Sequence, residues 1–558
     1  MKKLKLVAIL LCLPYISLAQ DEDKKKDYGK LSGGLESNSQ YYVDDAKTGD
    51  FEEEDNFRSN TYLRLNYDYK NWFANIQVES YEPQALLSYY PKYEGTDIGT
   101  FAIGYKSNSF EATVGHFYEQ FGSGLILRSW EDRQLGINNA LRGANVKFRP
   151  TESIELTALY GRQRDGFEVS RGDIYGFNSE INLSDLFKFE STGLGFGFSY
   201  VARSEDLDID NPDFNATTNS FSGRLDYSEG NFYSSIEYVS KSEDVFIEND
   251  TFFDDKYFDG NALLLNFGYA KSGLGIDATF RRMENMSFYS QRNQAFEEYT
   301  QFNQGIVNYL PALTKQHDYS LTNIYVYQAQ PNLKLFRIGK AGEIGGQIDV
   351  FYKIKKGSTL GGKYGTKLAF NYANWYGLKG DYNTTEGTYE TSGFLGFGEK
   401  FYRDMSLEIR KKISKNWSSI FTVVNTYYNK EFVEDTAGEV NATVLVGEAT
   451  HKFGSGKSIR VEAQHLFTND DMKNWAGGTL EFNLNSKVSM YVTDIYNYGN
   501  DDSDAQIHYY NFGGSYSRGA TRVGASYGRQ RGGLLCVGGV CRIVPEITGF
   551  TLNLSTSF

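Results

Sequence analysis

Residues 547–558 read ITGFTLNLSTSF. Side chains of a β-strand alternate between two faces, and this stretch alternates bulky residues with glycine and small polar residues. It therefore predicts a strand with one apolar face and one polar face. Such a strand fits the wall of a transmembrane β-barrel, and it also fits a β-sandwich. The bulkier face carries Phe550, Leu552, Leu554, Thr556 and Phe558.

The composition of the 558-residue chain favours a barrel. Aromatic residues make up 16% of it and there are only 8 prolines, which suits strands that are continuous and end in aromatic girdles. After the amino-terminal segment, no window approaches the roughly 18 continuous apolar residues of a transmembrane helix. The mean hydropathy of −0.49 is compatible with a barrel, because only alternate residues of its strands face lipid. The absence of a Pro/Ser-rich linker predicts one large unit.

The amino terminus predicts export. Lys2, Lys3 and Lys5 precede an apolar run over residues 6–18, and small residues surround a cut before Gln20, so residues 1–19 are predicted to be a cleaved signal peptide. Cys12 raises the alternative of a lipoprotein, but it lies within the run rather than at the cut. Cleavage would change the formal charge from −14 to −17, because three lysines and no acidic residue are lost.

The mature chain continues the alternating pattern. Residues 20–28 are charged and patternless and are predicted to be a short periplasmic tail, whereas residues 29–558 are predicted to form the barrel. Residues 62–69 and 72–79 alternate around Lys70-Asn71, which predicts a hairpin. Short turns at one end and long loops at the other are typical of outer-membrane barrels, whose short turns face the periplasm. We predict an even number of strands, about 18 to 24. The long connections include residues 44–56, 205–217, 244–260 and 284–319.

Two segments, residues 116–146 and 310–332, interrupt this pattern. Both mix charged and apolar residues, a composition unsuited to a lipid face and unusually apolar for a free loop. We predict that they fold inward, pair charges across the lumen and partly fill it, with an ordered extracellular cap as the alternative. The candidate residues of a lumen constriction are Glu119, Arg128, Glu131, Asp132, Arg133 and Arg142.

Cysteines and acidic residues offer few ligand sites. Cys536 and Cys541 lie in the loop before the last strand and are predicted to form a disulfide, since no histidine is near to complete a metal site. Asp206, Asp208 and Asp210 have the spacing of a calcium loop, but Asn211 replaces the glycine of an EF-hand. A solvated acidic loop is the alternative there, and no cofactor is predicted.

Nothing in the sequence indicates catalysis or nucleic-acid binding. The five histidines are scattered without ligand spacing, and neither a nucleophile elbow nor a zinc-binding helix motif is present. We predict that the protein is not an enzyme, although separate strands could assemble a catalytic site that leaves no motif. The acidic surface disfavours nucleic acid, which requires a basic face.

Five short motifs stand out in the two interrupting segments. They are FYEQFGSGLILR at residues 117–128, EDR at 131–133, NALRG at 139–143, PALT at 311–314 and QPN at 330–332. Together they resemble a Bacteroidota-type outer-membrane barrel family without an assigned activity. The resemblance implies an outer-membrane location and recognition of Phe558 by the barrel-assembly machinery. It implies no catalytic residues.

These observations leave two main hypotheses for function. The first is a non-enzymatic barrel that docks partners, such as outer-membrane proteins or surface lipoproteins, in a complex for outer-membrane protein assembly or secretion. The second is a porin-like diffusion channel, in which the charged residues of the first segment would set ion selectivity. An outer-membrane enzyme is the third.

Overall fold

The computed structural model describes residues 28–51, 55–87, 89, 92–207, 211, 214–248, 251–292, 306–537 and 540–558. The predicted signal peptide and all of the predicted periplasmic tail except Tyr28 lie outside these residues. A single sheet of 24 strands dominates the described chain.

The strands of this sheet follow one another along the chain. They are β1 (Lys30–Tyr42), β2 (Phe57–Tyr69), β3 (Trp72–Tyr81), β4 (Gly95–Lys106), β5 (Phe110–Phe117), β6 (Leu141–Thr151), β7 (Ile154–Asp165), β8 (Glu168–Asn182), β9 (Thr192–Ser204), β10 (Thr217–Glu229), β11 (Phe232–Glu248), β12 (Thr251–Lys271), β13 (Leu274–Glu284), β14 (Gly342–Ile354), β15 (Thr366–Leu378), β16 (Phe397–Lys412), β17 (Trp417–Asn429), β18 (Glu439–Gly454), β19 (Lys457–Phe467), β20 (Trp475–Asn483), β21 (Val488–Tyr496), β22 (His508–Arg518), β23 (Thr521–Gln530) and β24 (Ile547–Ser557).

Every strand pairs antiparallel with its neighbours in sequence, and the last strand closes the sheet on the first. Gly34 of β1 lies opposite Ser557 of β24, and the pairing continues to Tyr42 opposite Gly549. Closure removes the unpaired strand edges that a sheet would otherwise expose to lipid. The predicted single antiparallel outer-membrane barrel with an even number of strands is therefore confirmed.

The outer face of the barrel is apolar. Phe550 and Leu552 of β24 are exposed, as are Trp72, Ile103 and Val114 on other strands. Residues on the alternate positions point into the lumen, where many of them are buried. This alternation is the one that the closing strand predicted, and it is the arrangement of a wall with lipid outside and protein inside.

Short and long connections lie at opposite ends of the barrel. Two residues join β2 to β3 and β12 to β13, whereas residues 43–56, 118–140 and 285–341 connect strands at the other end. One predicted loop, residues 244–260, is wrong, because β11 and β12 continue as a paired ribbon to Glu248 and Thr251. Phe246 of this ribbon is buried against Phe253 and Phe258, and this packing explains the extension.

Helices among the described residues are few and short. They are α1 (Leu183–Phe187), α2 (Lys430–Glu434) and two 3₁₀ turns, Ser320–Asn323 and Ser503–Ala505. No helix in the described part of the chain is both long and apolar enough to cross a membrane.

Candidate functional site

The connection between β5 and β6 folds into the lumen as two small hairpins. Gln120–Phe121 pairs with Leu127–Arg128, and Glu131–Asp132 pairs with Ile137–Asn138. Gly122 and Gly124 have positive φ angles of 54° and 93°, which the tight first turn requires. The apolar side chains of this connection pack against the inner wall between β7 and β13. The wall residues are Leu159, Ile174, Val201, Val239, Ala262, Leu264 and Met283.

The connection between β13 and β14 crosses the lumen. Val307 and Ala329 belong to the same apolar cluster as the first connection. Leu321 and Tyr327 pack instead against the wall from β15 to β21, and Leu313 contacts both clusters. This second segment therefore spans from one side of the barrel to the other. Its partners on the second wall include Trp375, Tyr402, Tyr428, Val444, Leu466 and Trp475.

Backbone hydrogen bonds join the two connections into one unit. The amide of Tyr309 donates to the carbonyl of Gly124 at 2.9 Å, and the amide of Arg128 donates to the carbonyl of Val307 at 2.9 Å. The Arg128 guanidinium also lies 3.9 Å from the centre of the Tyr309 ring. We call residues 118–140 and 306–341 together the plug. The predicted partial filling of the lumen by inserted loops is confirmed.

Buried carboxylates of the wall hold the plug. Glu343 of β14 accepts from Arg281 of β13 at 2.6 Å, from the amide of Gln330 at 2.8 Å and from the Tyr327 hydroxyl. The side chains of Arg281 and Glu343 are 1% and 0% exposed. Because every acceptor of this carboxylate faces a donor, its burial is compensated.

Two more wall carboxylates bind the plug in the same way. Glu248 accepts from the amides of Leu335 and Phe336 at 2.8 and 3.2 Å. Glu237 accepts from the amide of Ser123 at 3.1 Å. Wall carboxylates thus satisfy backbone donors of plug turns that no strand partner could satisfy.

Several of the candidate constriction residues are engaged by wall residues. Glu119 accepts from Asn145 at 2.7 Å and from Lys147 at 2.8 Å. Arg133 donates to Glu36 at 2.5 Å and to Gln77 at 3.0 Å.

Of the other two acids, Glu131 binds both the plug and wall strand β3, and Asp132, among the described residues, binds only the plug. Glu131 accepts from Arg133 at 3.2 Å and from Gln77 at 2.9 Å. Asp132 accepts from the amides of Gln134 and Leu135 and so orders a turn.

The structure places Arg142 elsewhere. Strand β6 begins at Leu141, whose side chain is buried inward, so the next residue points outward. The guanidinium of Arg142 lies 5.6 Å from the ring centre of Phe101, an exposed residue of the outer wall. The inference that Arg142 lines the lumen is therefore wrong, because the strand resumes earlier than the sequence pattern indicated.

The remaining sequence candidates lie apart from the plug charges. Cys536 and Cys541 form a disulfide that closes the hairpin of Gly533–Val537 and Val540–Val544. Backbone hydrogen bonds join Phe558 to Gly33 of β1. Asp206 is exposed, whereas Asp208 and Asp210 lie outside the described residues, so the calcium loop stays a prediction. Within the described chain, no three His, Cys, Asp or Glu residues form a metal-binding group.

Sequence reasoning missed the most buried ion pairs. Arg164 donates to Glu79 at 2.9 and 2.6 Å, and both side chains are 1% exposed. Arg292 lies 3.9 Å from Glu205, and these two side chains are also 1% exposed. Strand alternation indicates that Glu79 points inward, but Arg164 has the parity of the outward residue Arg162 and is turned inward by an irregularity of β7 between the two. Arg292 lies outside the strands, so alternation says nothing about it.

Lys340 is a buried cation of the plug. Its ammonium donates to Gln330 at 2.8 Å and to the carbonyl of Phe432 at 2.7 Å. Burial lowers the pKa of Lys340 to about 7, and the nearby positive charge of Lys334 acts in the same direction. The plug therefore contains a lysine whose charged form is disfavoured by its surroundings.

The short-turn half of the lumen is polar and contains a cavity. The cavity has a volume of about 810 Å³ and is bordered by the acidic residues Glu155, Glu180 and Asp226. Ser235 and Asn266 are among its other polar lining residues. This lower region, which we call the vestibule, contrasts with the packed plug above it.

A protein-family model matches residues 1–558, the whole chain, and is described as a family of unknown function, DUF6029. The chain belongs to this family. Because the DUF6029 description gives no activity, a role for the plug has to be derived from its geometry. No curated protein matches this DUF6029 chain.

Solved structures similar to this DUF6029 chain have low sequence identity. The siderophore receptor PirA from Pseudomonas aeruginosa aligns with 9% identity and a TM-score of 0.42, over 96% of this chain and 81% of that chain. A BenF-like porin from Pseudomonas fluorescens Pf-5 aligns with 9% identity and a TM-score of 0.34, over 95% and 98%. A chain of an E. coli P pilus tip assembly intermediate, PapC-PapD-PapK-PapG, aligns with 11% identity and a TM-score of 0.47, over 96% and 63%.

Proposed function

We propose that this protein is a non-enzymatic outer-membrane barrel that docks partners as a subunit of a cell-envelope complex. The observation that carries the proposal is the plug, which packs against opposite walls of the lumen. A barrel whose lumen is occupied in this way has lost the obvious path for solutes, but it keeps a wide surface of long connections. Those connections are the available docking surface.

The physical character of the plug supports this role. Its apolar side chains are buried, and three wall carboxylates bind its backbone. Opening the lumen would expose this apolar surface to water and would break the hydrogen bonds that Glu343 accepts from Tyr327 and from the amide of Gln330, which is costly. We therefore expect the plug to stay in the lumen. A closed barrel of this kind would present a stable surface for binding partners.

The orientation follows from the connections. Outer-membrane barrels place short turns in the periplasm and long loops outside the cell. The plug then lies in the extracellular half of the barrel and the vestibule opens toward the periplasm. The partners expected on the outer side are other outer-membrane proteins or surface lipoproteins, and assembly or secretion is the process that such a complex would serve.

The test is affinity purification of the tagged full-length protein from its native outer membrane in mild detergent. Near-stoichiometric partners that recur between preparations are the expected result. A barrel that purifies alone, or only with copies of itself, would contradict the docking role.

Loop deletions locate the docking surface. Arg292 binds Glu205 and the carbonyls of Asn215 and Ala216, so removing only residues 206–214 preserves this anchor at the barrel rim. Loss of a partner on this deletion would place its contact on the outer face. Replacing residues 356–364, at the opposite end of the barrel, is the matched control. If no outer deletion releases any partner, docking at the outer face is wrong.

A porin-like channel is the second candidate, and the vestibule favours it. Its 810 Å³ cavity and acidic lining could admit small cations from the periplasmic side. The test is conductance in a planar bilayer with Arg128→Ala and Arg133→Ala, since both residues belong to the plug. A change in ion selectivity would support a constriction, and unchanged conductance and selectivity would exclude these residues from it.

A further inference from the structure

Two arginines lie opposite each other on the outer wall. In the β6–β7 pairing, Arg142 is the direct partner of Arg162, and both side chains are exposed. Their chain neighbours Leu141 and Gln163 are buried in the lumen, so strand alternation directs both arginines outward. Like charges directly opposite on a sheet destabilise the pairing, and this arrangement needs a physical reason.

An acidic residue neutralises the positive charge of only one of these two arginines. Arg162 binds Asp173 of β8 through two hydrogen bonds of 2.8 and 3.2 Å. Arg142 forms no ion pair within 4.0 Å with any acidic residue among those described; its guanidinium lies beside the Phe101 ring. One positive charge therefore remains on the outer wall without an acidic partner from the described chain.

The height of this charge on the wall can be estimated. Arg142 lies nine residues from the end of β6 at Thr151, where a short turn leads to β7. At about 3.3 Å per residue and a tilt of about 40°, this corresponds to about 23 Å along the membrane normal. The apolar band of an outer-membrane barrel is about 25 Å tall. Arg142 thus lies at the outer border of the band, at the depth of lipid headgroups.

The wall below the arginines is suited to acyl chains. The outward residues there include exposed apolar and aromatic side chains, among them Tyr160 and Tyr175, which lie opposite each other on β7 and β8. Aromatic side chains are enriched at this interface. The other members of this apolar surface are Ile103, Val114, Val146 and Phe148.

We propose that Arg142 and Arg162 bind the phosphate group of a lipid in the outer leaflet. Guanidinium groups present paired donors that match phosphate oxygens, and they are less strongly hydrated than an ammonium. A phosphate between the two would supply the missing counter-charge and relieve their repulsion. The acyl chains of the same lipid would cover the apolar surface beneath, which a free phosphate ion could not do.

The experiment measures lipid retention by the full-length protein in detergent, using native mass spectrometry. The probes are phosphatidic acid, the diacylglycerol with the same acyl chains, and inorganic phosphate. Phosphatidic acid should bind in clear preference to diacylglycerol. The variant Arg142→Gln/Arg162→Gln should lose affinity for phosphatidic acid by about tenfold, equivalent to about 1.4 kcal/mol.

Two controls make the result specific. Arg522→Gln removes an exposed arginine of β23 whose strand partner Ser555 lies on the inner face, and it should leave lipid retention unchanged. Unchanged mobility of the unheated protein in gels shows that each variant barrel is folded. Wild-type retention by the double variant, or equal retention of diacylglycerol, would overturn the proposal. Displacement of the lipid by an equal concentration of inorganic phosphate would indicate a free-anion site and would also overturn it.

Discussion

Inward-facing carboxylates have opposite environments in the two halves of the lumen. In the half beside the long connections, Glu343 is fully buried and accepts from Arg281, Tyr327 and Gln330. In the vestibule, Asp226 is exposed and borders an open cavity. Both residues follow the same strand alternation. The difference comes from the plug, which removes water from one half and leaves it in the other.

A barrel that folds its own connections inward provides partners for the polar residues of its inner wall. The alternation of a barrel strand supplies polar residues toward the lumen whether or not water is present. Once the plug excludes water, each of those residues must find a partner, because an unpaired buried charge costs several kcal/mol. In the plugged half, Glu237, Glu248 and Glu343 bind plug backbone donors. The wall and the plug are therefore interdependent.

Removing the second plug segment should have the largest effect. Replacing residues 310–332 by a short Gly/Ser linker deletes the part that packs against the β15–β21 wall. We expect ion conductance in planar bilayers to rise by an order of magnitude or more, because the plugged half would become as wet as the vestibule. The control replaces residues 356–364, at the short-turn end of the barrel, by the same kind of Gly/Ser linker. Conductance equal to that of the wild type would show that the segment does not close the lumen.

Breaking one buried pair should have the next largest effect. Arg281→Met leaves the Glu343 carboxylate without its cation in a dry site, and a loss of about 3–5 kcal/mol in unfolding free energy is expected. Urea unfolding of the detergent-solubilised barrel measures it. The double variant Arg281→Met/Glu343→Leu should recover most of the loss, since it removes both charges. A double variant as unstable as the single one would mean that the contacts of Tyr327 and Gln330 with Glu343 dominate instead.

The sequence predicted the barrel well, for a physical reason. Lipid on one side of every strand imposes a period of two, so the outward face of residues 547–558 was readable without neighbours. The inward folding of residues 310–332 was also predictable, because their mixed composition suits neither lipid nor open water. Arg142 was wrongly assigned to the lumen because all of residues 116–146 were predicted to fold inward. Strand β6 begins at Leu141, within that segment, and directs Arg142 outward.

The partners of the buried wall residues could not be predicted. Glu343 and Asp226 are both acidic residues at inward positions, and neither their spacing nor their neighbours indicates which one meets the plug. Only the path of residues 306–341 across the lumen decides this, and that path depends on contacts between distant segments, such as Tyr309 with Gly124. Local patterns carry no information about such contacts.

The Lys340 ammonium should make stability depend on pH. Burial lowers the pKa of Lys340 to about 7, whereas an unfolded lysine titrates near 10.4. Between these values the unfolded chain binds more protons, so the unfolding free energy should rise with pH, by on the order of a few kcal/mol. Lys340→Met should lack this component when urea unfolding is compared at pH 7 and pH 10. An identical pH dependence in both proteins would show that Lys340 titrates normally in the fold.

The smallest effect is expected in the vestibule. Asp226→Asn changes an exposed carboxylate beside an open cavity, and the unfolding free energy should change by less than about 0.5 kcal/mol. Glu343→Gln makes the same chemical change in the plugged half, where the amide cannot accept from Arg281, Tyr327 and Gln330 together, and it should cost at least about 2 kcal/mol. Urea unfolding of the two variants under identical conditions compares them directly. Equal losses of unfolding free energy in the two variants would mean that water is excluded from the vestibule as it is from the plugged half. The two halves of the lumen would then differ in their residues and not in their hydration.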